Sequence, residues 1–389
     1  MKIAILAPES PPRLFGPIPG GLTQYVTAMA DGYAALGHDV HVFARATEPG
    51  SVQRGFTSVH YVKTSARTRV LRPFELLMDE LRLWRAFARA SRSGSFDLVE
   101  VTDWGVAPVL SLLFVRHGPV LVKLHGPSDF IARLNGRKLR RIGRFMAWRE
   151  RWIARHADVL LSADPALAYE IVQLWNLASV PDTIPDPVHL ADAGILKPRQ
   201  NRKVFEILAV GKLERRKDQA TLIRALSRLE VVEPPWRATI VGPDTQTGPQ
   251  GGSYKSFLYQ LVPAGVRSQL RWIDQVPREE LWKLYARSDA VVVCTVDGAY
   301  GYTTLDAMSA GVAVVTTTAD VKTESPYVRH GETAWVYAAG DDVALAEALR
   351  SLRRDPDMRA RLGISARNYV DQALSPQGIA QKVLTRIGR

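Results

Sequence analysis

Residues 297–311 read DGAYGYTTLDAMSAG and lie between two apolar runs that have the composition of buried strands. The glycines predict a turn, and the residues after Gly301 predict the start of a helix. A helix that begins after a glycine turn offers free backbone N–H groups to a phosphate. Asp297 and Asp306 flank this turn, nine residues apart, and carboxylates in these places suit sugar hydroxyl groups. The stretch therefore predicts a strand–turn–helix unit that binds a phosphorylated, hydroxyl-rich ligand.

The alternation of strand and helix extends through the chain on both sides of this stretch. Short apolar runs predict strands at 2–7, 39–44, 57–62, 97–101, 119–124, 158–162, 204–210, 237–242, 269–273, 289–295 and 312–316. Helical spacing of apolar residues predicts helices at 22–36, 165–177, 217–230, 253–262, 278–287 and 302–310. This alternation predicts an α/β protein with parallel, doubly wound sheets.

A proline-rich and then polar stretch separates two similar halves of the chain. PDTIPDP at 181–187 and LKPRQNRK at 196–203 come before a new strand. We therefore predict four segments: an N-terminal Rossmann-like domain at 1–185, a linker at 186–202, a C-terminal Rossmann-like domain at 203–370, and a C-terminal helix at 371–389 that packs back on the N-terminal domain.

The composition is that of an ordinary globular protein. The 389 residues are 46% apolar and 23% charged, and no run approaches the roughly 20 apolar residues of a membrane-spanning helix. The first residues lack the cleavage site of a signal peptide and read as a strand. The single cysteine, Cys294, excludes an internal disulfide and lies in an apolar run, where a buried, inert thiol is expected. These features favour the cytoplasm.

Three further spots lie at the ends of predicted strands or loops, the edge where open α/β sheets bind ligands. Gly20 and Gly21 precede a helix and allow close approach of a ligand, although a simple turn explains them equally well. Lys212 and Lys217 flank a loop and a helix start, where they either neutralise a diphosphate or form a solvated cationic loop. His125 follows an apolar strand and precedes Gly-Pro, which favours a position facing a cleft.

The order of motifs resembles that of the retaining glycosyltransferases of the GT4 type. The matching pieces are LGHDVHVF (36–43), VTDWGVAPVL (101–110), VLVKLHG (120–126), AVGKLERRKDQATLIRAL (209–226), IDQVPREELWKLYARSDAVVV (273–293), GYTTLDAMSAGVAVV (301–315) and GETAWVYAAGDDVALAEAL (331–349). Each piece is loosely defined, but their joint order over nearly the whole chain is specific. The resemblance implies the GT-B fold, in which two Rossmann-like domains with parallel sheets face a central cleft.

The resemblance implies a donor site in the C-terminal half. Lys212 and Lys217 match a basic pair on the donor diphosphate, of which the first is usually arginine. Asp306 matches an acid, usually glutamate, that binds the ribose hydroxyls, and Val276 falls where the backbone reads the base. The phosphate-binding turn and the N–H groups that follow it match Gly301, Tyr302, Thr303 and Thr304.

The resemblance also implies roles in the N-terminal half. Gly20 and Gly21 match a loop that closes on the diphosphate, and His125 matches a histidine beside the transferred sugar. Asp103 and Trp104 lie at another strand end, where they contact the acceptor or the sugar.

The chain departs from the family pattern at one acid. The family has Glu-x7-Glu with its first glutamate three residues before the turn glycine, a position that Gly298 occupies here. Asp297 lies one residue earlier. Either a shift of the loop lets Asp297 act as the missing catalytic-site acid, or the contact is absent and Asp297 belongs to a solvated Asp-Gly turn.

The implied reaction moves a hexosyl unit from a nucleoside diphosphate sugar to an acceptor hydroxyl with retention, in bacterial polysaccharide or glycoconjugate biosynthesis. The two lysines and the helix N-terminus at 302–304 would stabilise the leaving diphosphate, and front-face attack requires no carboxylate nucleophile. No Asp-x-Asp lies in a loop suited to a metal, because Asp355-Pro356-Asp357 reads as a surface turn. We therefore expect no metal and no cofactor.

The segment 131–156 carries nine Arg and Lys residues against Glu150 alone. One interpretation is an amphipathic helix packed on the N-terminal domain; another is peripheral docking on an anionic membrane, at its inner face, where the acceptor is lipid-linked. Recognition of a phosphorylated acceptor is the third. Nucleic-acid binding is not expected, since no nucleic-acid-binding fold accompanies the charge.

Two other classes of function stay open. A sugar-nucleotide epimerase has the same double-Rossmann architecture but would need no acceptor. A catalytically weak partner protein that resembles these transferases is suggested by the altered acid motif.

Overall fold

The computed structural model describes residues 1–7, 20–64, 72–104, 108–192, 203–229, 235–296, 301–318, 325 and 327–388. The chain forms two compact units. The first unit comprises Met1–Ala132, Lys138–Pro187 and Leu374–Arg389; the second comprises Arg133–Arg137 and Val188–Ala373. The C-terminal segment thus belongs to the first unit, and the short segment Arg133–Arg137 belongs to the second.

The first unit is built on an eight-stranded sheet of order β3-β4-β2-β1-β5-β6-β7-β8. Its strands are β1 (Lys2–Ala7), β2 (Asp39–Ala46), β3 (Gly50–Arg54), β4 (Thr57–Lys63), β5 (Leu98–Thr102), β6 (Val120–Leu124), β7 (Val159–Ser162) and β8 (Asp182–Thr183). All neighbouring strands are parallel except β3 and β4, which form an antiparallel pair at the edge. The sequence analysis did not predict β3, because its five exposed residues lack an apolar pattern.

Six helices accompany these strands along the chain. They are α1 (Gly21–Ala35), α2 (Arg72–Ala90), α3 (Val109–Phe114), α4 (Ser128–Leu134), α5 (Arg141–Arg155) and α6 (Pro165–Trp175). The central strands β1, β5 and β6 are almost wholly buried, as expected for parallel strands covered on both faces.

The second unit contains a parallel six-stranded sheet of order β11-β10-β9-β12-β13-β14. Its strands are β9 (Phe205–Val210), β10 (Trp236–Val241), β11 (Leu270–Ile273), β12 (Ala290–Val293), β13 (Ala313–Thr318) and β14 (Trp335–Ala338). Its helices are α7 (Gln219–Ser227), α8 (Tyr254–Leu261), α9 (Arg278–Arg287), α10 (Tyr302–Ser309), α11 (Asp342–Arg354) and α12 (Pro356–Ala373). The prediction of an α/β protein with two parallel sheets is confirmed.

The last helix, α13 (Pro376–Arg386), packs against α1 in the first unit. The two backbones meet at Gly32, where a Cβ atom would lie 2.2 Å from the carbonyl oxygen of Pro376. Only glycine permits this approach. In the described part of the chain, no helix is long and apolar enough to cross a membrane.

Candidate functional site

The first candidate site lies where the neighbouring strands β5 and β6 of the first unit end. Asp103 follows β5, and its Oδ2 atom accepts hydrogen bonds from the backbone N–H groups of His125 (2.9 Å) and Gly126 (2.8 Å) after β6. The carboxylate is buried and fixes the backbone of the loop after β6 through these two hydrogen bonds, while its contact with acceptor or sugar stays a prediction. Trp104, the next residue, is 37% exposed.

Both nitrogens of the His125 ring contact acceptor atoms. Nε2 lies 3.2 Å from Oδ1 of Asp186, and Nδ1 lies 3.2 Å from the carbonyl oxygen of Lys123. The ring also meets Tyr25 of α1 edge to face, with centroids 4.3 Å apart. Burial lowers the pKa of His125, but the negative charges of Asp186 and Asp103 and the hydrogen bond to Asp186 outweigh this and raise it to about 9.

A chain of buried charges continues inward from His125. The ammonium group of Lys123 is fully buried, 3.5 Å from Oδ1 of Asp186 and 3.3 Å from the carbonyl oxygen of Pro185. It also lies 5.3 Å from the ring centroid of Tyr25. Burial lowers the pKa of Lys123, against the opposing effect of Asp186. Burial also tends to raise the pKa of Asp186, but His125 and Lys123 outweigh it and lower that pKa.

Glu100 of β5 forms the inner end of this chain. Its carboxylate accepts hydrogen bonds from the hydroxyl groups of Tyr25 and Tyr33, the second at 2.7 Å. Burial raises its pKa, although both tyrosine hydrogen bonds oppose the rise. Tyr25 and Tyr33 are eight residues apart and lie on one face of α1. Both hydroxyl groups can therefore reach the buried Glu100 carboxylate from the same helix.

These buried charges were not predicted from the sequence. A signal was present, because Glu100 in LVEVT and Lys123 in VLVKL are single charges inside apolar strands. The two strands are neighbours, with Thr102 opposite Lys123, so Glu100 and Lys123 point to the same face of the sheet. Asp186 was assigned to the predicted linker, but it belongs to the first unit and contacts His125.

Gly20 and Gly21 lie at the start of α1. Gly20 is the N-cap residue and has extended backbone angles with no capping side chain, while Gly21 is the first helical residue. Both are exposed, and they lie about one turn before Tyr25, whose ring contacts His125. The structure thus places the glycine pair at the start of the helix that covers the buried charges.

The second candidate site lies where β9 and β12 of the second unit end. Gly211 follows β9 with φ of +145°, and the aliphatic carbons of Lys217 lie 4.0 Å from the position a Cβ atom would take there. Lys217 ends a short 3₁₀ turn, Arg215–Lys217, that leads into α7. Lys212 directly follows Gly211 and is exposed.

Two hydrogen bonds join the end of β9 and the lysine turn to residues that follow β12. The hydroxyl group of Thr303 donates to the carbonyl oxygen of Val210 (3.4 Å), and the N–H group of Val296 donates to the carbonyl oxygen of Arg216 (3.1 Å). The start of α10 therefore lies beside the end of β9, on the same sheet edge as Lys217.

Gly301 is the N-cap residue of α10, as the sequence predicts for a phosphate-binding turn, and it has no capping side chain. Tyr302 and Thr303 supply the first helical N–H groups. The N–H group of Thr304 differs from the prediction, because it donates to the carbonyl oxygen of Gly301 at 2.9 Å. This bond spans three residues, as in a 3₁₀ turn, so the N–H group of Thr304 is hydrogen-bonded within the first turn of α10.

Asp306 in α10 is almost completely buried and paired with Arg278, the first residue of α9. The guanidinium donates from Nη1 to Oδ2 at 3.2 Å and from Nη2 to Oδ1 at 2.9 Å. Arg278 also lies 4.7 Å from the ring centroid of Trp282. Val276, half-buried, lies in the loop just before α9. The sequence analysis missed Arg278, and nothing in its spacing distinguishes it from the other arginines.

Asp297 lies outside the described residues, together with 298–300. Cys294, three residues earlier, is buried and accepts a hydrogen bond from the hydroxyl group of Tyr337 at 3.0 Å. Burial raises the pKa of its thiol to about 12, in agreement with the expected inert thiol. Within the described ranges, no three His, Cys, Asp or Glu side chains cluster as a metal site would require.

The basic segment forms α4 and α5, and α5 has two different faces. Its inner face includes Glu150, which accepts from Ser128, and Arg149, which pairs with Glu80. Its outer face carries aromatic rings. Phe145 and Trp148 are each 50% exposed and stack with ring centroids 5.9 Å apart. Exposed arginines flank these rings at positions 141, 144 and 155.

The chain matches two families of known proteins. Residues 20–185 match the family described as glycosyl transferase 4-like domain, and residues 195–369 match glycosyl transferases group 1. The chain is 27% identical to the glycogen synthase of Mycobacterium tuberculosis, in an alignment that covers 98% of this chain and 92% of that protein.

Two solved structures are similar over the whole chain. Sucrose-phosphate synthase from Thermosynechococcus elongatus has a TM-score of 0.77 at 18% identity, covering 100% of this chain and 98% of that one. The Anabaena protein HepE in complex with UDP and glucose has a TM-score of 0.70 at 18% identity, covering 100% and 99%. These likenesses show the fold. Because the two family matches together span nearly the entire sequence, the chain belongs to the GT4-type glycosyltransferases and has the GT-B fold.

Proposed function

We propose that the chain is a retaining glycosyltransferase that moves a hexosyl unit from a nucleoside diphosphate sugar to an acceptor hydroxyl group, in bacterial polysaccharide or glycoconjugate biosynthesis. The observation that carries this proposal is the meeting of Lys217, Gly211 and the start of α10 at one sheet edge. A diphosphate can bind here, because the Lys217 ammonium group and the N-terminus of α10 attract its charge and Gly211 lets it approach the backbone closely.

In the proposed reaction, the bond between the anomeric carbon and the β-phosphate oxygen breaks as the acceptor hydroxyl forms a bond to the same face of that carbon. The leaving diphosphate gains negative charge and takes the proton of the acceptor hydroxyl. Lys212, Lys217 and the N–H groups of Tyr302 and Thr303 stabilise this charge. No side chain needs to act as a covalent nucleophile.

The nucleoside is held at the neighbouring part of the same sheet edge. Asp306 accepts hydrogen bonds from the ribose hydroxyls, while Arg278 fixes its carboxylate in place. The backbone at Val276 contacts the base. If Asp297 replaces the usual glutamate, it binds the transferred sugar. The Anabaena neighbour that holds UDP and glucose supports a donor of this class.

We further propose that the reaction needs no metal ion and no cofactor. Two ammonium groups and a helix N-terminus supply positive charge where a divalent cation would otherwise neutralise the diphosphate. Chelation with EDTA should leave the initial rate unchanged. A rate restored only by added Mg²⁺ or Mn²⁺ would refute this part of the proposal.

The acceptor site is assigned to the first unit, with His125 and Trp104 beside the transferred sugar. The acceptor is a sugar, in free, lipid-linked or phosphorylated form. The relatives support a carbohydrate acceptor, since their names include glycogen synthase and sucrose-phosphate synthase. A lipid-linked acceptor fits the outer face of α5, where exposed Phe145 and Trp148 lie among arginines. Such a face suits peripheral docking on an anionic membrane from the cytoplasmic side.

The test is a donor screen followed by product analysis. Thermal-shift measurements with UDP-, GDP-, ADP- and TDP-sugars should identify one base that raises the melting temperature. Incubation of that donor with candidate acceptors should then release nucleoside diphosphate and give a product with the donor's anomeric configuration. An inverted product would refute the retaining mechanism. Release of an epimerised sugar without any acceptor would instead establish an epimerase, and binding without turnover would establish a catalytically weak partner protein.

A further inference from the structure

The acceptor atoms around His125 restrict the protonation state of its ring. The carbonyl oxygen of Lys123 accepts hydrogen bonds and cannot donate one, and the same holds for an ionised Asp186 carboxylate. A neutral imidazole has one N–H group and can satisfy only one of these two acceptors. Both contacts are 3.2 Å long, and an imidazolium, with an N–H group on each ring nitrogen, is the one protonation state that donates to both acceptors.

We infer that Asp186 is a positioning residue that holds His125 as a doubly protonated imidazolium, so that His125 acts as a fixed cation in the site and not as a proton acceptor. The placement of His125 beside the substrate rests on the proposed function. Its protonation state does not, because it follows from contacts inside the first unit.

The charges that face His125 support this state. Among the described residues, Asp103 and Glu100 approach from the β5 side, Lys123 precedes it in β6, and Asp186 approaches from the segment after β8. Tyr25 of α1 covers the ring without carrying a charge. Asp186 lies between two cations, and Oδ1 of Asp103 lies 3.8 Å from Nδ1 of His125.

The carboxylates of Asp103 and Asp186 lie beside Lys123 and His125⁺ within this buried group. Oδ1 of Asp103 is buried and has no hydrogen-bond partner, so it adds negative potential at the ring. Removing the proton from His125 would leave both carboxylates facing Lys123 alone. The raised pKa of His125, about 9, has this cause.

A fixed imidazolium has a definite consequence for the proposed transfer. It presents a positive charge at the site assigned to the first unit at neutral pH, and it has no free lone pair with which to remove the proton of the acceptor. The proton must then go to the leaving diphosphate, as front-face transfer requires. His125 therefore supplies a positive charge to the proposed site, and the Asp186 carboxylate keeps the imidazole ring protonated.

The first measurement is an NMR titration of the imidazole nitrogens of His125 in the full-length protein, assigned with a His125→Gln variant. Both nitrogens should show the shift of protonated imidazolium at pH 7.5, with a midpoint near pH 9. A midpoint at or below the ordinary value of about 6.5 would overturn the inference. This measurement needs no substrate, so its outcome is independent of the proposed function.

The second measurement uses Asp186→Asn, which keeps the shape and removes the charge. The midpoint of His125 should fall by one unit or more, and the alkaline limb of the transfer rate against pH should move down with it. Asp182→Asn removes an exposed carboxylate that pairs with Arg386, and it should leave the midpoint unchanged. An unchanged midpoint in Asp186→Asn would overturn the role given to Asp186. A normal donor affinity alongside a low midpoint would show that the inference fails while the proposed function stands.

Discussion

The guanidinium group of Arg278 binds both carboxylate oxygens of Asp306, at 3.2 and 2.9 Å. The acid expected to bind ribose is therefore already fixed by a neighbouring helix. Aspartate is one carbon shorter than the glutamate that is usual in this family. The two hydrogen bonds from Arg278 fix the orientation of the shorter Asp306 side chain. The pair is buried on the Asp306 side and more open on the Arg278 side, 3% against 28% exposed.

Substitution of Arg278 should weaken both the fold and the nucleotide site. Arg278→Ala leaves a buried carboxylate without its partner, so we expect the free energy of unfolding to fall by about 3 kcal/mol. Nucleoside diphosphate affinity should fall about tenfold, measured by calorimetry. Arg287→Ala, at the last residue of α9, is the matched control. Equal affinity in Arg278→Ala and wild type would contradict the positioning role of Arg278.

The stability of the first unit should depend on pH through His125. The pKa of His125 is about 9 in the folded chain and about 6.5 in the unfolded chain. Its contribution to the free energy of unfolding is therefore fully present below pH 6.5 and is lost as the pH rises through 9. Between pH 6.5 and 9.5 the loss should be on the order of 3 kcal/mol in urea unfolding. His125→Gln should remove this part of the pH dependence. A variant with the same alkaline loss as wild type would exclude His125 as its source.

The contact between α1 and α13 should depend on the glycine at position 32. Gly32→Ala places a methyl group 2.2 Å from the carbonyl oxygen of Pro376, so one helix must move. We expect the free energy of unfolding to fall by about 1–3 kcal/mol. Gly265→Ala is the control, because a Cβ atom at Gly265 meets nothing within 4 Å. Equal melting temperatures for the two variants would show that the close approach is absent.

The exposed face of α5 should bind anionic vesicles. Phe145→Ser together with Trp148→Ser should weaken cosedimentation with phosphatidylglycerol vesicles about tenfold, since aromatic side chains anchor such helices at the interface. Phe114→Ser is the control, because Phe114 is an exposed aromatic residue on α3, outside α5. Neutral phosphatidylcholine vesicles should bind weakly in every case. Equal binding by the double variant and wild type would exclude this face as the docking surface.

The regular elements and the second-unit site were largely visible in the sequence. Buried parallel strands are continuous apolar runs, and glycines at strand ends mark turns, so the strands and the Gly301 turn were found directly. β3, β8 and β14 were missed because they are short edge strands with few buried residues.

The first-unit site was visible only in part. His125 stood out because it follows a strand, but its partner Asp186 is 61 residues away and lies in a proline-rich segment. Such a pairing is decided by strand order and register, which spacing along the chain does not reveal. The two hydrogen bonds that Asp103 accepts from backbone N–H groups could not be predicted from the sequence for the same reason.

The proposed donor site binds the diphosphate through Lys217 beside Gly211 and the start of α10 in the second unit. It is tested by calorimetric titration of the nucleoside diphosphate chosen by the donor screen into wild type, Lys217→Ala and Lys283→Ala, the last an exposed lysine of α9 paired with Glu280. We expect Lys217→Ala to bind at least about tenfold more weakly, a loss of about 1.4 kcal/mol, while Lys283→Ala matches wild type. Wild-type affinity in Lys217→Ala would show that Lys217 does not bind the diphosphate.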